Sequence, residues 1–163
     1  MYKRQTITTL KLAKENNCIT ILNPAPAREI AESDFKLIDY FTPNETEAEF
    51  YLNQKLNNDE DIKIAANKFL DKGIKNIIIT LGEKGAYFAN TKQNFFIKSH
   101  SLKEKVIDTT GAGDVFNGAL AFSLANDTNI KDAIIFANKV AGISTTRLGA
   151  ANSVPTSNEV VSY

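Results

Sequence analysis

Apolar residues fall along this chain in two alternating rhythms, one with the period of a strand and one with the period of a helix. Cys18–Leu22 (CITIL) is a short, nearly continuous apolar run, the pattern of a buried strand, and Leu37–Phe41 is a second. Asn76–Thr80 (NIIIT) is a third, apolar on both sides like a strand covered on both faces. Between them Thr6–Glu15 predicts an opening helix and Glu45–Leu52 a short one. Asn58 or Asp59 starts a helix that runs to Asp71, with Ile62, Ala65, Ala66, Phe69 and Leu70 on one face, and Gly73 stops it. After a turn at Leu81–Gly85, the runs AYFAN and NFFIK read as a hairpin pair. Helices over Asp114–Ala125 and Ile130–Thr146 follow. The alternation predicts an α/β fold with a parallel sheet and helices on both faces. No strand precedes the opening helix, and TSNEVVSY reads as the first turns of a helix. A sheet begun this way has an exposed edge, so the chain is expected to be a piece of something larger.

The chemistry concentrates in Val106–Leu124 (VIDTTGAGDVFNGALAFSL). A β-branched run, Val106–Asp108, reads as a strand ending in Asp108-Thr109-Thr110. The turn Gly111-Ala112-Gly113 comes next, then Asp114, then a helix of apolar and small residues. A glycine turn that opens a helix offers backbone N–H groups with no intrahelical partner, and the helix dipole favours an anion there. The glycines let a phosphate approach the backbone closely. A phosphate cradle beside a carboxylate suits phosphoryl transfer to an alcohol. The plainer alternative is that the glycines make a turn and Asp114 starts a helix.

Composition narrows the setting. The 163 residues are 43% hydrophobic, enough to bury a core in one domain. Nineteen basic and 19 acidic residues cancel, so no nucleic-acid footprint and no membrane-seeking face is expected. The single cysteine, Cys18, excludes an intrachain disulfide and reads as a buried thiol, which fits a cytoplasmic compartment. No apolar stretch approaches the roughly 18 residues of a membrane span. His100, the only histidine, lies in a polar stretch (KSHSLKEK), and no zinc-like cluster or Ser/His/Asp arrangement is present.

Four segments together resemble the C-terminal half of ribokinases, within the phosphofructokinase-B family of sugar kinases. They are NPAPA (Asn23–Ala27), TPNETEAE (Thr42–Glu49), ITLGEKGAYF (Ile79–Phe88) and DTTGAGDVFNGAL (Asp108–Leu120). A fifth, TRLGAANSVPT (Thr146–Thr156), favours ribokinases over their cousins. The resemblance implies a ribokinase-like three-layer α/β/α fold with a mostly parallel sheet, the N-terminal part and lid lying outside the chain. Residues 1–163 would then be the nucleotide-binding part of a single carbohydrate-kinase domain. The implied reaction is ATP-dependent phosphorylation of a sugar hydroxyl, D-ribose to D-ribose 5-phosphate, in a protein whose full-length form is a homodimer. A fructokinase or adenosine kinase of the same family, or a nucleotide-binding module without kinase activity, are the alternatives.

Site residues follow from the same resemblance. Asp114 is the implied catalytic base, touching both the sugar hydroxyl and the nucleotide's reacting end. The backbone from Thr110 through Gly111, Ala112 and Gly113 is the implied anion hole. Asn44 is implied to contact nucleotide phosphate and Glu47 to hold Mg²⁺ through water, although Asn44 three residues before Glu47 is also a capping signature. Thr80, Leu81, Gly82, Glu83, Lys84 and Gly85 would lie against ATP, and Asn138 would line its adenine pocket. Asp108, Thr110, Ser144, Arg147, Gly149 and Ser153 match a monovalent-cation site for K⁺, to which Arg147 would give its carbonyl. The sugar-binding residues lie mostly outside the chain, so the 163 residues alone are expected to be a weak or inactive kinase.

Overall fold

A computed structural model describes residues 2–102 and 104–163. The chain divides into two compact units: residues up to Leu81 with Tyr87–Phe96, and Gly82–Ala86 with Ile97–Tyr163.

The first unit is built on a sheet. Its helices are α1 (Tyr2–Glu15), α2 (Glu45–Leu52) and α3 (Asp59–Asp71). The strands are β1 (Ile21–Leu22), β2 (Tyr40–Phe41), β3 (Asn76–Thr80), β4 (Ala86–Asn90) and β5 (Asn94–Ile97), all in this unit except Ala86 and Ile97. They lie side by side in chain order. β1, β2 and β3 are parallel, with Ile21 opposite Tyr40 and Tyr40 opposite Asn76. β4 and β5 close a tight hairpin in which Asn90 N–H donates to Gln93 C=O at 3.0 Å.

Ile77, Ile78 and Ile79 are each 0% exposed, so β3 is covered on both faces, as its unbroken apolar run requires. Against it α3 buries Ile62, Ala65, Ala66 and Phe69, four of the five residues expected on its inner face. Phe41 meets Phe69 and Tyr51 edge to face at centroid distances of 5.3 and 5.4 Å. Pairs in that geometry add about 0.5–1.5 kcal/mol each beyond their buried area.

A polar clasp sits at one end of this core. Asp39 is 7% exposed and accepts from Thr20 N–H at 2.9 Å, from the Thr20 hydroxyl, from Lys14 and from Lys75 at 2.8 Å. Burial opposes its charge, but the two lysines and Thr20 outweigh burial and hold its carboxyl well below the usual range.

Three expectations need correction. The Cys18–Leu22 strand starts only at Ile21, because α1 ends in a backbone-closed turn that uses the chain as far as Cys18. Asn17 there takes φ +56°, and Cys18 N–H reaches back to Ala13 C=O at 2.8 Å. Cys18 is consequently exposed, not buried. The second expected strand keeps only Tyr40–Phe41, since a 3₁₀ turn over Glu32–Leu37 takes up its first residue. Val106–Asp108 forms no strand: Ile107 and Asp108 N–H both donate to the one carbonyl of Thr145, at 2.8 and 3.1 Å, so no ladder can grow. Val106 and Ile107 remain 48% and 59% exposed.

The second unit is helical: α4 (Ala112–Ala125), α5 (Ile130–Ser144) and α6 (Ser157–Ser162). α4 and α5 pack together, with Val115, Phe116, Ala119 and Leu120 buried on the first and Ala133, Ile134, Ala137, Val140 and Ile143 on the second. Asn129 caps α5 by accepting from Asp132 N–H at 3.1 Å. Among the described residues, no helix is long and apolar enough to cross a membrane.

Candidate active site

The start of α4 differs from an ordinary helix start. Its N-cap is Gly111, in the left-handed region at φ +76°, and no side chain caps it. Two of the expected anion-hole donors are already engaged: Thr110 N–H on Asp108 Oδ1 at 2.9 Å, and Ala112 N–H on Thr109 C=O at 3.2 Å. Neither Gly111 nor Gly113 N–H has an acceptor among the described residues. The open donors are therefore those of the two glycines. A Cβ on Gly113 would meet nothing within 4 Å, whereas one on Gly111 would lie 3.0 Å from the Ala150 Cβ. Asp114 follows in the first helical turn with its side chain exposed.

Behind the turn lies the loop 145–153. Asp108 joins the two, its Oδ1 on Thr110 N–H and its Oδ2 on Gly149 N–H at 2.9 Å. Its pKa is lowered, first by the Thr110 side chain and then by the Gly149 and Thr110 N–H groups. Gly149 takes φ +88°, a conformation that favours glycine. Arg147 N–H donates to Ser144 C=O at 3.3 Å, and the Ser153 hydroxyl donates to Ala150 C=O at 2.7 Å. Ser144 and Ser153 are 2% and 1% exposed. Asp108 thus contacts both Thr110 and Gly149, Arg147 and Ser153 lie in the same loop as Gly149, and Ser144 ends α5 just before it.

In the first unit, Asn44 and Glu47 form a reciprocal cap on α2. Asn44 Oδ1 accepts from Glu47 N–H at 2.8 Å, and Glu47 Oε2 accepts from Asn44 N–H at 2.8 Å. Glu47 is 8% exposed, so the pair is set firmly. Asn44 also bridges Thr80, and Thr80 N–H donates to Pro43 C=O at 3.0 Å, which fixes the end of β3 beside the start of α2. Leu81 is 4% exposed and follows directly.

Gly82–Gly85 belong to the second unit. Gly82, Glu83 and Lys84 form an exposed 3₁₀ turn, which Gly85 closes by donating to Gly82 C=O at 3.0 Å. Gly85 has φ +103°, and a Cβ there would lie 2.0 Å from Ile97 C=O, so only glycine fits. Asn138 is 9% exposed in the middle of α5, and its Nδ2 has no hydrogen-bond partner among the described residues. A buried amide donor left this way fits a position meant to meet a ligand.

Two features were not read from the sequence. One is a groove of about 630 Å³ beside Gly111 and Asp114, lined by Val115, Ala119, Phe122 and Val140 among others. The other is Glu159. It accepts from Thr156 N–H at 2.7 Å and pairs with Arg147 Nη2 at 2.6 Å. Its carboxyl is lowered to about 2, first by the Thr156 N–H and then by Arg147. The Thr156-x-x-Glu159 spacing was the available signal, a capping-box signature.

The class follows from these features together with comparison to known proteins. The family of pfkB family carbohydrate kinases matches residues 3–157, and the chain belongs to it. Ribokinases are among its relatives in that family. It is 42% identical over 155 residues to the ribokinase of Staphylococcus aureus (strain COL), a match covering 94% of this chain and 50% of that protein. The crystal structure of the Thermotoga maritima ribokinase superposes with a TM-score of 0.84 at 42% identity, covering 95% of this chain and 52% of that one. The Arabidopsis thaliana ribokinase complexed with ribose and ATP gives 0.92 at 26% identity, covering 98% and 52%. The ribokinase-like fold implied by the motifs is therefore the one observed. The chain spans about half the length of the curated relatives it matches.

Proposed function

We propose that the chain is the nucleotide-handling and catalytic part of an ATP-dependent sugar kinase that converts D-ribose to D-ribose 5-phosphate. On this reading all 163 residues belong to one ribokinase-like domain. The observation that carries the reading is the uncapped start of α4, with two glycine N–H groups open beside Asp114. The sugar's primary hydroxyl oxygen attacks the γ-phosphorus of ATP, the new O–P bond forms, and the bond to ADP breaks. Asp114 orients that hydroxyl and takes its proton late in the step. Gly111 and Gly113 N–H stabilise the charge growing on the phosphoryl oxygens.

The remaining roles rest on the motifs and on the chemistry of the groups. Asn44 contacts phosphate, and Glu47 holds Mg²⁺ through water with the oxygen its cap leaves over. Mg²⁺ neutralises phosphate charge when bound. Thr80 and Leu81, with the turn Gly82–Gly85, lie against the nucleotide, and the orphaned amide of Asn138 meets the base. The carbonyl-rich loop around Asp108, Thr110, Ser144, Arg147, Gly149 and Ser153 suits K⁺. Support for the small molecules comes from the Arabidopsis ribokinase, whose structure holds ribose and ATP. A crystal structure of the Cryptococcus neoformans ribokinase holds ADP.

Asp114→Asn tests the reading in a full-length kinase carrying this sequence, assayed with ribose, fructose and adenosine in turn. Turnover of ribose should fall by roughly 10²–10⁴-fold while the KM for ATP stays within a few-fold. Turnover that survives largely intact would make Asp114 an ordinary helix-start residue. A preference for fructose or adenosine would reassign the sugar alone. The 163 residues by themselves should show at most slow ATP hydrolysis in the same assay, because Asp114 is the one group placed here that touches the sugar.

A further inference from the structure

The side chains of Arg147 and Glu159 take no part in the chemistry proposed above, yet they form an ion pair between the loop 145–153 and α6. Glu159 lies in α6 and Arg147 at the start of the loop 145–153, with Nη2 and Oε1 2.6 Å apart. Both are only partly exposed, at 34% and 40% of their side chains. Each further contact leads toward the glycine turn. Two residues past Arg147, Gly149 N–H holds Asp108 Oδ2 at 2.9 Å, and Asp108 Oδ1 holds Thr110 N–H at 2.9 Å. The next residue of the loop, Ala150, stands directly against the Gly111 backbone. Thr145 C=O takes both Ile107 and Asp108 N–H.

The loop therefore backs the turn through Gly149 and Thr145 on Asp108 and through Ala150 against Gly111, and Arg147 on its far side is ion-paired to α6. We infer that the Arg147–Glu159 pair is a positioning strut that sets where the Gly111 and Gly113 N–H groups point. The inference rests on the proposed role of that turn as the anion hole. An anion hole works by donors fixed before the reaction, so a small displacement of the turn lowers turnover more than it lowers nucleotide affinity.

The pair can be separated from the cap that shares Glu159. Thr156→Ala removes the hydroxyl of the α6 capping box and leaves the ion pair, while Arg147→Gln removes the ion pair and leaves the box. Glu159→Gln weakens both. In a full-length kinase carrying this sequence, Arg147→Gln and Glu159→Gln should each lower kcat roughly threefold to tenfold with an ATP KM within twofold. The double variant should lose no more than either alone, since one contact is removed twice. Amide exchange at Thr110–Gly113 should rise in both, with exchange in the middle of α4 and α5 unchanged. Thr156→Ala should leave kcat and exchange at the turn as they were.

Losses that follow Thr156→Ala and Glu159→Gln but not Arg147→Gln would overturn the strut and assign the effect to the cap. An unchanged kcat and unchanged turn exchange in Arg147→Gln would overturn it as well. Both results are distinct from failure of the catalytic reading, which is decided by Asp114→Asn.

Discussion

Two helices of this protein begin in opposite ways, and the contrast separates a closed helix start from an open one. α2 closes itself: Asn44 and Glu47 satisfy each other's backbone N–H groups through side chains, with Glu47 largely buried. α4 does the reverse. It starts at a glycine in the left-handed region, has no side-chain cap, and leaves the donors of Gly111 and Gly113 open. Any helix must satisfy its first N–H groups by side chains, water or ligand. Where a sequence supplies a capping pair, the start is complete in itself. Where it supplies glycines and no capping side chain, the donors stay open, as the proposed anion hole requires.

Three substitutions sharpen or break this comparison. Gly111→Ala should act most strongly. A non-glycine residue at φ +76° costs about 1–2 kcal/mol. Its Cβ would also press on Ala150 at 3.0 Å. Denaturant titration should register that loss together with weaker ATP binding, and a neutral result would mean that the turn relaxes freely. Asn44→Ala should come next, at about 1 kcal/mol of stability for a lost cap. Calorimetric titration with ATP decides whether Asn44 is more than a cap: an unchanged affinity would leave it with the structural role alone. Gly113→Ala should be smallest in stability and opposite in sign. With open space at its Cβ and an ordinary helical conformation, alanine should stabilise the fold by about 0.5–1 kcal/mol. ATP affinity should nonetheless fall, because the methyl group would occupy the face on which phosphate approaches. A variant more stable and equally tight would place the phosphate elsewhere.

Much of this was legible in the residues. α2, β3 and the stretch of α3 appear where their patterns put them, since each has a cap or an unbroken apolar run that no neighbour overrides. Periodicity failed where tertiary hydrogen bonds outweighed local preference. Val106 and Ile107 have strand-forming side chains, but a single carbonyl of Thr145 takes the N–H groups of Ile107 and Asp108. Cys18 looked like the start of a strand, but its N–H is needed to end α1. In the site, the motif located the turn but could not say which donors stay free, because that depends on Asp108 reaching Thr110 and Gly149 at once. The Arg147–Glu159 contact was invisible for a similar reason. Thr156-x-x-Glu159 announces a cap, and nothing in the spacing says that the same carboxylate also reaches back 12 residues to an arginine.

The buried amide of Asn138 has a consequence for how this protein can change over generations. A donor shut away from water without an acceptor costs about 1–3 kcal/mol. Leucine, of similar size, would avoid that cost at a position whose helical neighbours Ile134 and Ala137 are already apolar and fully buried. Selection for stability alone would therefore favour an apolar residue there, and the base contact proposed for α5 would give a lineage reason to keep the asparagine. Position 138 then serves as a record of use: descendants that still bind a guest there should keep a polar residue, and those that have stopped should drift toward a greasy one.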